Sequence, residues 1–494
     1  MTELTIGIDL GTTGTKAILL DAAAGVIASA SRPCSLSSPH TGFAEASLEQ
    51  WLTNIHATVA ELIETSGVSA SDVLGIATSG MVPAVVLLDK SGNALRPAIL
   101  QNDARAVVEI DEIAQSLGDL NFVTDTGSAL SQQSVAPTLV WLAKNEPEIW
   151  EQTHQIVGSY DWALMALGAE AHVEQNWALE SGLFYIDGTP HQRIRERAGV
   201  KSLQVPSVAK AGTAVGKLDP SNAKIMGLNA GTALFVGGAD HALSAYGAGV
   251  SNEGDWLIKL GGAGDILVKS ESPLVDERLY LDAHPIPGGW LPNGCMATSG
   301  SLIRWFQELT GTSDLVAMDE KAAKAEPSSV LCLPYFLGEK SPLHDTDLRG
   351  AFFGMHLGTT TADMYRSVLE AIAFGFRHHR DVFIDCGVTL SKAMVTNGGS
   401  RSVLWKQIHA DVLGVDLHPV VNHPGASLGA AVIAGVGAGC IDGLENVSDY
   451  VTLGETVTPN PINQAKYDQA FEEWRELADI TTTLAHRLSE RTRQ

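Results

Sequence analysis

Ile8-Asp9-Leu10-Gly11-Thr12-Thr13-Gly14-Thr15-Lys16, near the start of the chain, has a degenerate counterpart in its second half, Ile258-Lys259-Leu260-Gly261-Gly262-Ala263-Gly264-Asp265. Each reads as an apolar strand, a glycine-rich turn and a second apolar strand, over residues 17–20 in one copy and 266–268 in the other. Glycine lets such a turn bring its backbone close to a ligand. Consecutive N–H groups there form an anion-binding concavity, to which Thr hydroxyls add donors. Two such turns predict two related domains gripping one polyphosphate from opposite sides. Neither is a P-loop, because G-x-x-x-x-G-K-[ST] is absent and the turns join strand to strand. Two ordinary glycine hairpins are the plain alternative, and the repetition weighs against it.

At 494 residues the chain is too long for one core, and two or three domains are expected. Its 45% hydrophobic and 18% charged residues are those of a soluble globular enzyme. A net charge of −25 argues against nucleic-acid partners. An anionic ligand must then be held locally, by backbone donors, a metal or a few cations. Cys34, Cys295, Cys332, Cys386 and Cys440 are scattered without a C-x-x-C pair, which suits a reducing cytoplasm. The start of the chain carries no apolar signal core, and the longest uncharged run, about 424–441, is broken by glycines. No membrane span and a cytoplasmic location are expected.

Strands are expected over 5–9, 17–21, 26–31 and 73–78, with a hairpin over 85–97. Leu48, Trp51, Leu52, Ile55, Val59, Leu62 and Ile63 recur at helical spacing, with Ser47 and Gln50 as a capping box. Residues 104–177 read as mainly helical, and strand character returns over 205–209 and 234–238. The small residues 247–252 suit a hinge. A helix follows Thr360 on the stripe Met364, Val368, Ile372 and Phe376; Leu404, Ile408 and Val412 mark another. The tail from about Asn463 reads as a polar helix on the outside. Gly435-Val436-Gly437-Ala438-Gly439 reads as helix packing and a C-cap, not a dinucleotide fingerprint.

Asp9 ends the first strand beside the phosphate turn, where a carboxylate holds Mg²⁺ directly or through water. Val236-Gly237-Gly238-Ala239-Asp240-His241-Ala242 presents one carboxylate at a strand end with backbone room for a substrate. Asp240 there suits a general base towards a hydroxyl. No G-x-S-x-G elbow or H-E-x-x-H accompanies the Asp-His pair, which discounts hydrolysis. Gly398-Gly399-Ser400, between a strand and a helix, suits a nucleotide resting on bare backbone.

Gly350-Ala351-Phe352-Phe353-Gly354-Met355, then Asp363-Met364 and Ser367-Val368-Leu369-Glu370, resembles the carboxy-terminal signature of the FGGY family of carbohydrate kinases. Within that family the chain is most similar to the xylulokinases. Leu95-Arg96-Pro97-Ala98-Ile99-Leu100, Asn102-Asp103, Gly338-Glu339-Lys340-Ser341-Pro342 and the segment from Gly398 to Trp405 are also similar, so the resemblance covers nearly the whole length. It implies an α/β fold of two ribonuclease-H-like, actin-like ATPase domains, with mixed sheets flanked by helices and the active site in the cleft between them. The expected division is 1–248 and 253–494. By position, Asp240 resembles the family's catalytic base and, with Asp9, a ligand of Mg²⁺. Thr12, Thr13, Gly261 and Gly262 fall in the turns that bind the ATP phosphates, and Gly300, Arg304, Gly398 and Gly399 on the nucleotide side. Met81, Val82, Asn102, Asp103 and His241 fall around the sugar.

Some positions depart from the xylulokinase pattern. Val82-Pro83-Ala84 stands for Met-His-Gly, Gln101 for Trp, His241 for Asn and Thr138 for Lys. The second phosphate turn offers Gly262 and Ala263 instead of two hydroxyls. The expectation is an ATP-dependent sugar or polyol kinase, D-xylulose leading, with other ketoses or small polyols and a non-catalytic sensor as alternatives. The expected partners are a small-molecule substrate and a second copy in a homodimer.

Overall fold

The computed structural model describes residues 2–493. Its first main sheet contains β1 (Leu4–Leu10), β2 (Gly14–Asp21), β3 (Gly25–Pro33), β4 (Val73–Gly80), β5 (Ala214–Lys217) and β6 (Ala233–Ala239), in the order β5-β6-β4-β1-β2-β3. The second contains β7 (Trp256–Leu260), β8 (Gly264–Val268), β9 (Tyr280–Ala283), β10 (Trp290–Met296), β11 (Ala393–Thr396), β12 (Leu417–Val421) and β13 (Thr452–Leu453). Their order is β9-β10-β8-β7-β11-β12-β13. Within them, β3-β2-β1-β4-β6 and β10-β8-β7-β11-β12 repeat one plan. Three strands run antiparallel, and two more continue parallel to the third. The glycine turns are the β1–β2 and β7–β8 hairpins, so the repeat of the sequence is a repeat of topology.

The helices cover both sheets and bury their apolar stripes. Leu48–Ser66 buries Trp51, Ile55, Val59 and Leu62. Only half of its capping box forms: Ser47 accepts from Gln50 N, while Gln50 Oε1 accepts from Ser35 N at 2.9 Å. Thr360 and Asp363 make a complete box for the helix Thr361–Asp385, which buries Val368, Ile372 and Phe376. Val107–Ser116, Val135–Asn145, Ser159–Leu167 and Gln175–Ser181 fill the expected helical region. The strand expected over 205–209 shrinks to Val208–Ala209, paired with Val173–Glu174. The terminal helix Pro461–Arg493 is polar on one side only, since Tyr467, Phe471 and Trp474 enter the second core. No helix among the described residues is long and apolar enough to cross a membrane.

One element packs out of its linear order. The helix Ala426–Ala438 lies against the first sheet, where Thr5 Oγ1 donates to Ala431 O at 2.8 Å. A Cβ on Gly7 would stand 1.9 Å from Ser427 O, so β1 admits the helix only because that residue is glycine. Leu428, Val432 and Ile433 join Ile18, Leu20, Ala77 and Phe235 in a third apolar cluster. Gly439 closes the helix in the left-handed conformation, as the glycine pattern predicts.

Candidate active site

The second glycine turn is tied to the helix Gly300–Thr310. Ser299 N and Ser301 Oγ donate to Gly262 O at 2.9 Å, and Gly300 N donates to Gly261 O at 2.8 Å. A Cβ on Gly300 would lie 2.7 Å from Gly261 O, which makes glycine a condition of this approach. Beside the turn opens a cavity of about 1140 Å³, large enough for a nucleotide. Gly261, Gly262, Gly300, Arg304, Gly398 and Gly399 all line it. Gly399 is packed, its Cβ position 2.1 Å from the Trp405 ring, whereas Gly398 faces open space. Thr12 and Thr13 lie on the corresponding turn of the first half, not on this wall.

Asp9, one residue before the end of β1, pairs with Lys16 on β2 and Ser79 on β4. Its Oδ1 is enclosed and has no hydrogen-bond partner. Burial pushes its pKa up to about 7, with the Asp240 charge adding to the effect and Lys16 opposing it. An enclosed, unpartnered carboxylate oxygen facing a second carboxylate fits a divalent cation.

Asp240 opens the helix Asp240–Gly247 directly after β6, and its side chain is 37% exposed. The strand is bulged between Phe235 and Gly238 as it approaches β4. There a Cβ on Gly237 would fall 1.9 Å from Thr78 O, so glycine lets β6 deliver Asp240 to the cleft.

Lys259 and Asp265 face each other across β7–β8, with Nζ 3.0 Å from Oδ2. Burial works against the Lys259 charge, but Asp265 and Asp240 outweigh it and raise its pKa. At His241 burial opposes protonation, but the facing carboxylates of Asp282, Asp240 and Glu180 outweigh it and raise its pKa well above the ordinary value. The ligand atoms of Glu180, His241 and Asp282 lie within 4.8 Å of one another. His241 Nε2 and Asp282 Oδ2, at 2.7 Å, are already hydrogen bonded.

The remaining expected acceptor residues differ in what the fold asks of them. Met81 and Val82 follow β4 and are buried, Met81 N donating to Leu10 O at 3.3 Å. Asn102 is exposed, and its carbonyl accepts from Gln132 Nε2 at 3.1 Å. Asp103 is spent on the scaffold. It accepts from Ala44 N at 2.6 Å and from Arg105 Nε and Nη2 at 2.8 Å each. Both its oxygens serve this loop, a structural duty that the Asn-Asp motif did not reveal. Neighbouring Gln101 has an enclosed Oε1 without a protein hydrogen-bond partner.

Lys259, Glu180 and Asp282 were not among the expected site residues. Lys259 lies inside the repeated motif and was legible there as the counterpart of Asp9. Glu180 and Asp282 carry no local motif.

The sequence model of the FGGY family of carbohydrate kinases, N-terminal domain, matches residues 4–247, and that of its C-terminal domain matches 259–438. The solved structure of xylulose kinase from Rhodospirillum rubrum is similar at 38% identity and a TM-score of 0.92, over 98% of this chain and 100% of that one. Xylulose kinase of Staphylococcus epidermidis is 28% identical over 478 residues, 95% of each chain. Gluconokinase of Bacillus subtilis is 24% identical over 99% of this chain and 96% of its own. With both domains matched in order along a fold that repeats one sheet plan, the chain belongs to the FGGY family of carbohydrate kinases, which transfer a phosphoryl group from ATP to a sugar.

Proposed function

We propose that the chain phosphorylates a ketopentose, D-xylulose to D-xylulose 5-phosphate first, with Asp240 as general base. The observation that carries this reading is the position of Asp240. It is a half-exposed carboxylate at the end of β6, electrostatically coupled to Asp9 of the first hairpin and Lys259 of the second. The names of the Rhodospirillum rubrum and Staphylococcus epidermidis relatives support D-xylulose.

In this mechanism the acceptor hydroxyl gives its proton to Asp240 as its oxygen bonds to the γ-phosphorus. The bond from that phosphorus to the β-phosphate oxygen breaks, and ADP leaves. Backbone donors of Thr12, Thr13, Gly261 and Gly262 hold the phosphates, and Lys259 offsets their charge. Gly300, Arg304, Gly398 and Gly399 seat the nucleoside side in the large cavity. Asp9 and Asp240 are the side chains that would hold Mg²⁺, which supplies positive charge to the phosphates when bound. Residues 1–248, with the helix Ala426–Ala438 packed on their sheet, form one jaw and the rest of 253–494 the other, with a hinge over 247–252, and closure excludes water. Five free cysteines support a reducing, cytoplasmic setting.

A second reading, a kinase for another ketose or a small polyol, is favoured by Val82-Pro83-Ala84, Gln101 and His241, where the chain departs from the xylulokinase pattern. The deciding experiment is coupled ADP release with Mg-ATP against ketopentoses, aldoses and small polyols, with Asp240→Asn alongside. Turnover on D-xylulose that falls by roughly two to four powers of ten in the mutant is expected. Turnover on a different acceptor reassigns the substrate. Silence across the panel with ATP still bound leaves a sensor on a kinase fold.

A further inference from the structure

Beside Asp240 stands a group of side chains that neither half makes alone. Glu180 belongs to the helix Gln175–Ser181, His241 follows Asp240, and Asp282 comes from β9 of the second half. His241 Nε2 is 2.7 Å from Asp282 Oδ2 and 3.9 Å from Glu180 Oε1, and its Nδ1 is 3.6 Å from Asp240 Oδ1. The Asp282 side chain is 2% exposed, and its Oδ2 also accepts from Asn293 Nδ2 at 2.8 Å. Asp282 is therefore a fixed point against which the imidazole is set.

β9, an edge strand of the second sheet, is bound to the first half on both sides of Asp282. Asn176 Oδ1 accepts from Ala283 N at 2.6 Å, and Asn176 Nδ2 donates to Ala283 O at 3.1 Å. On the other side, Leu281 N donates to Ser128 Oγ at 3.3 Å. The side chain of Asn176 continues the edge of the strand as a peptide would. Where β9 docks, Asp282 arrives at His241.

We infer that Asp282 is a positioning residue for Asp240: by holding His241 through Nε2 it keeps Nδ1 turned to the Asp240 carboxylate, and it does so only when the two halves are docked. The inference rests on the reading of Asp240 as the base. A half-exposed carboxylate otherwise samples several rotamers. A displacement of about 1 Å from the attacking geometry costs on the order of a hundredfold in rate. The arrangement ties alignment of the base to closure of the cleft, so an open enzyme holds a poorly aligned base and wastes less ATP on water.

The test compares Asp282→Ala, Asp282→Asn and Asn176→Ala by steady-state kinetics on the best acceptor and by thermal unfolding. Asp282→Ala is expected to lower kcat about 10- to 100-fold with little change in either KM. Asp282→Asn, whose Oδ1 still accepts from the ring, recovers most of that loss. Asn176→Ala, which loosens the docking of β9, lowers Tm and lowers kcat by no more than Asp282→Ala does. If Asp282→Ala does not fold, Asp282→Glu replaces it, since it keeps the charge and moves the oxygens. It should be slow, and full activity there overturns the inference. So does an Asp282→Ala enzyme within twofold of wild type, an Asp282→Asn enzyme as slow as Asp282→Ala, or an Asn176→Ala enzyme with lowered Tm and unchanged kcat. A wild type silent on every acceptor overturns the kinase reading of Asp240 and this inference with it. Asp282→Ala at full rate while Asp240→Asn is dead overturns the inference alone.

Discussion

Lys259 and Asp265 occupy, across β7–β8, the register positions that Asp9 and Lys16 occupy across β1–β2, with acid and base exchanged. The parallel neighbour adds a hydroxyl residue in each case, Ser79 beside Asp9 and Thr396 beside Lys259. One hairpin thus offers the cleft a carboxylate that suits a cation, and the other an ammonium that suits phosphate. Related halves have been given complementary charges at one structural position.

Lys259→Met is expected to lower kcat by roughly two powers of ten. Its acceptor KM should change far less, because the charge faces the phosphate side. Initial-rate kinetics with both substrates varied make the distinction. An unaltered kcat assigns Lys259 to the Asp265 pair alone.

Asp9→Asn is expected to cost about two powers of ten in turnover and to raise the Mg²⁺ concentration needed for half-maximal rate. Chelating the metal should stop ADP release by the wild type. A titration of rate against Mg²⁺ reads both effects, and an unshifted midpoint in Asp9→Asn removes Asp9 from the metal.

The two cavity glycines separate packing from binding. At Gly399 a Cβ would collide with the Trp405 ring and lie 2.6 Å from Leu260 Cβ, so Gly399→Ala is expected to destabilise by roughly 1–3 kcal/mol. At Gly398 nothing lies within 4 Å, and Gly398→Ala should leave Tm in place while raising the KM for ATP. Thermal unfolding beside ATP kinetics checks the pair.

Glu174 is buried behind the acceptor side, where its Oε2 accepts from the Tyr160 hydroxyl at 2.8 Å and from Asn176 N at 2.9 Å. Burial raises its pKa to about 7 against those bonds. With the folded value above the unfolded one, the folded state holds the extra proton between about pH 4.5 and 7. Stability from this group is full below that window and falls by roughly 2–3 kcal/mol as pH rises through it. Glu174→Gln keeps the acceptor oxygen and removes the titration. The variant should match wild type near pH 4.5 and exceed it at pH 8 in urea unfolding.

Residues 1–250 expressed alone should be insoluble or lack fixed tertiary packing. Ile18, Leu20, Ala77 and Phe235 would lose the cover of Leu428, Val432 and Ile433. Co-expression with residues 251–494 is expected to restore a cooperative melt. A sharp thermal transition in the isolated fragment would sink this expectation.

What the sequence made legible follows from how local each signal is. The hairpins could be read because glycine between apolar runs has few other uses, and the buried stripe of Thr361–Asp385 because its periodicity is contained in the helix itself. The two glycine turns and the strand end that carries Asp240 lie inside such contiguous patterns. Asp282 lies in a short strand, and its meaning depends on His241, which packing alone brings near. Asp103 shows the converse: its motif is local, while its bonds to Arg105 and Ala44 become visible only when the loop folds. Gln50 took Ser35 N in place of its own helix for the same kind of reason. The attachment of Ala426–Ala438 to the first sheet was hidden because chain order suggests the wrong owner.

That attachment sets a schedule. β1 is among the first segments to leave the ribosome, yet Gly7 receives its partner Ser427 only after most of the chain has been made. At about 5–20 residues per second, the apolar back of the first sheet waits tens of seconds for its cover. The amino-terminal half therefore cannot complete its packing before residues 426–438 have been made, and until then the back of its sheet is uncovered. Its earliest strand is completed by one of its latest helices.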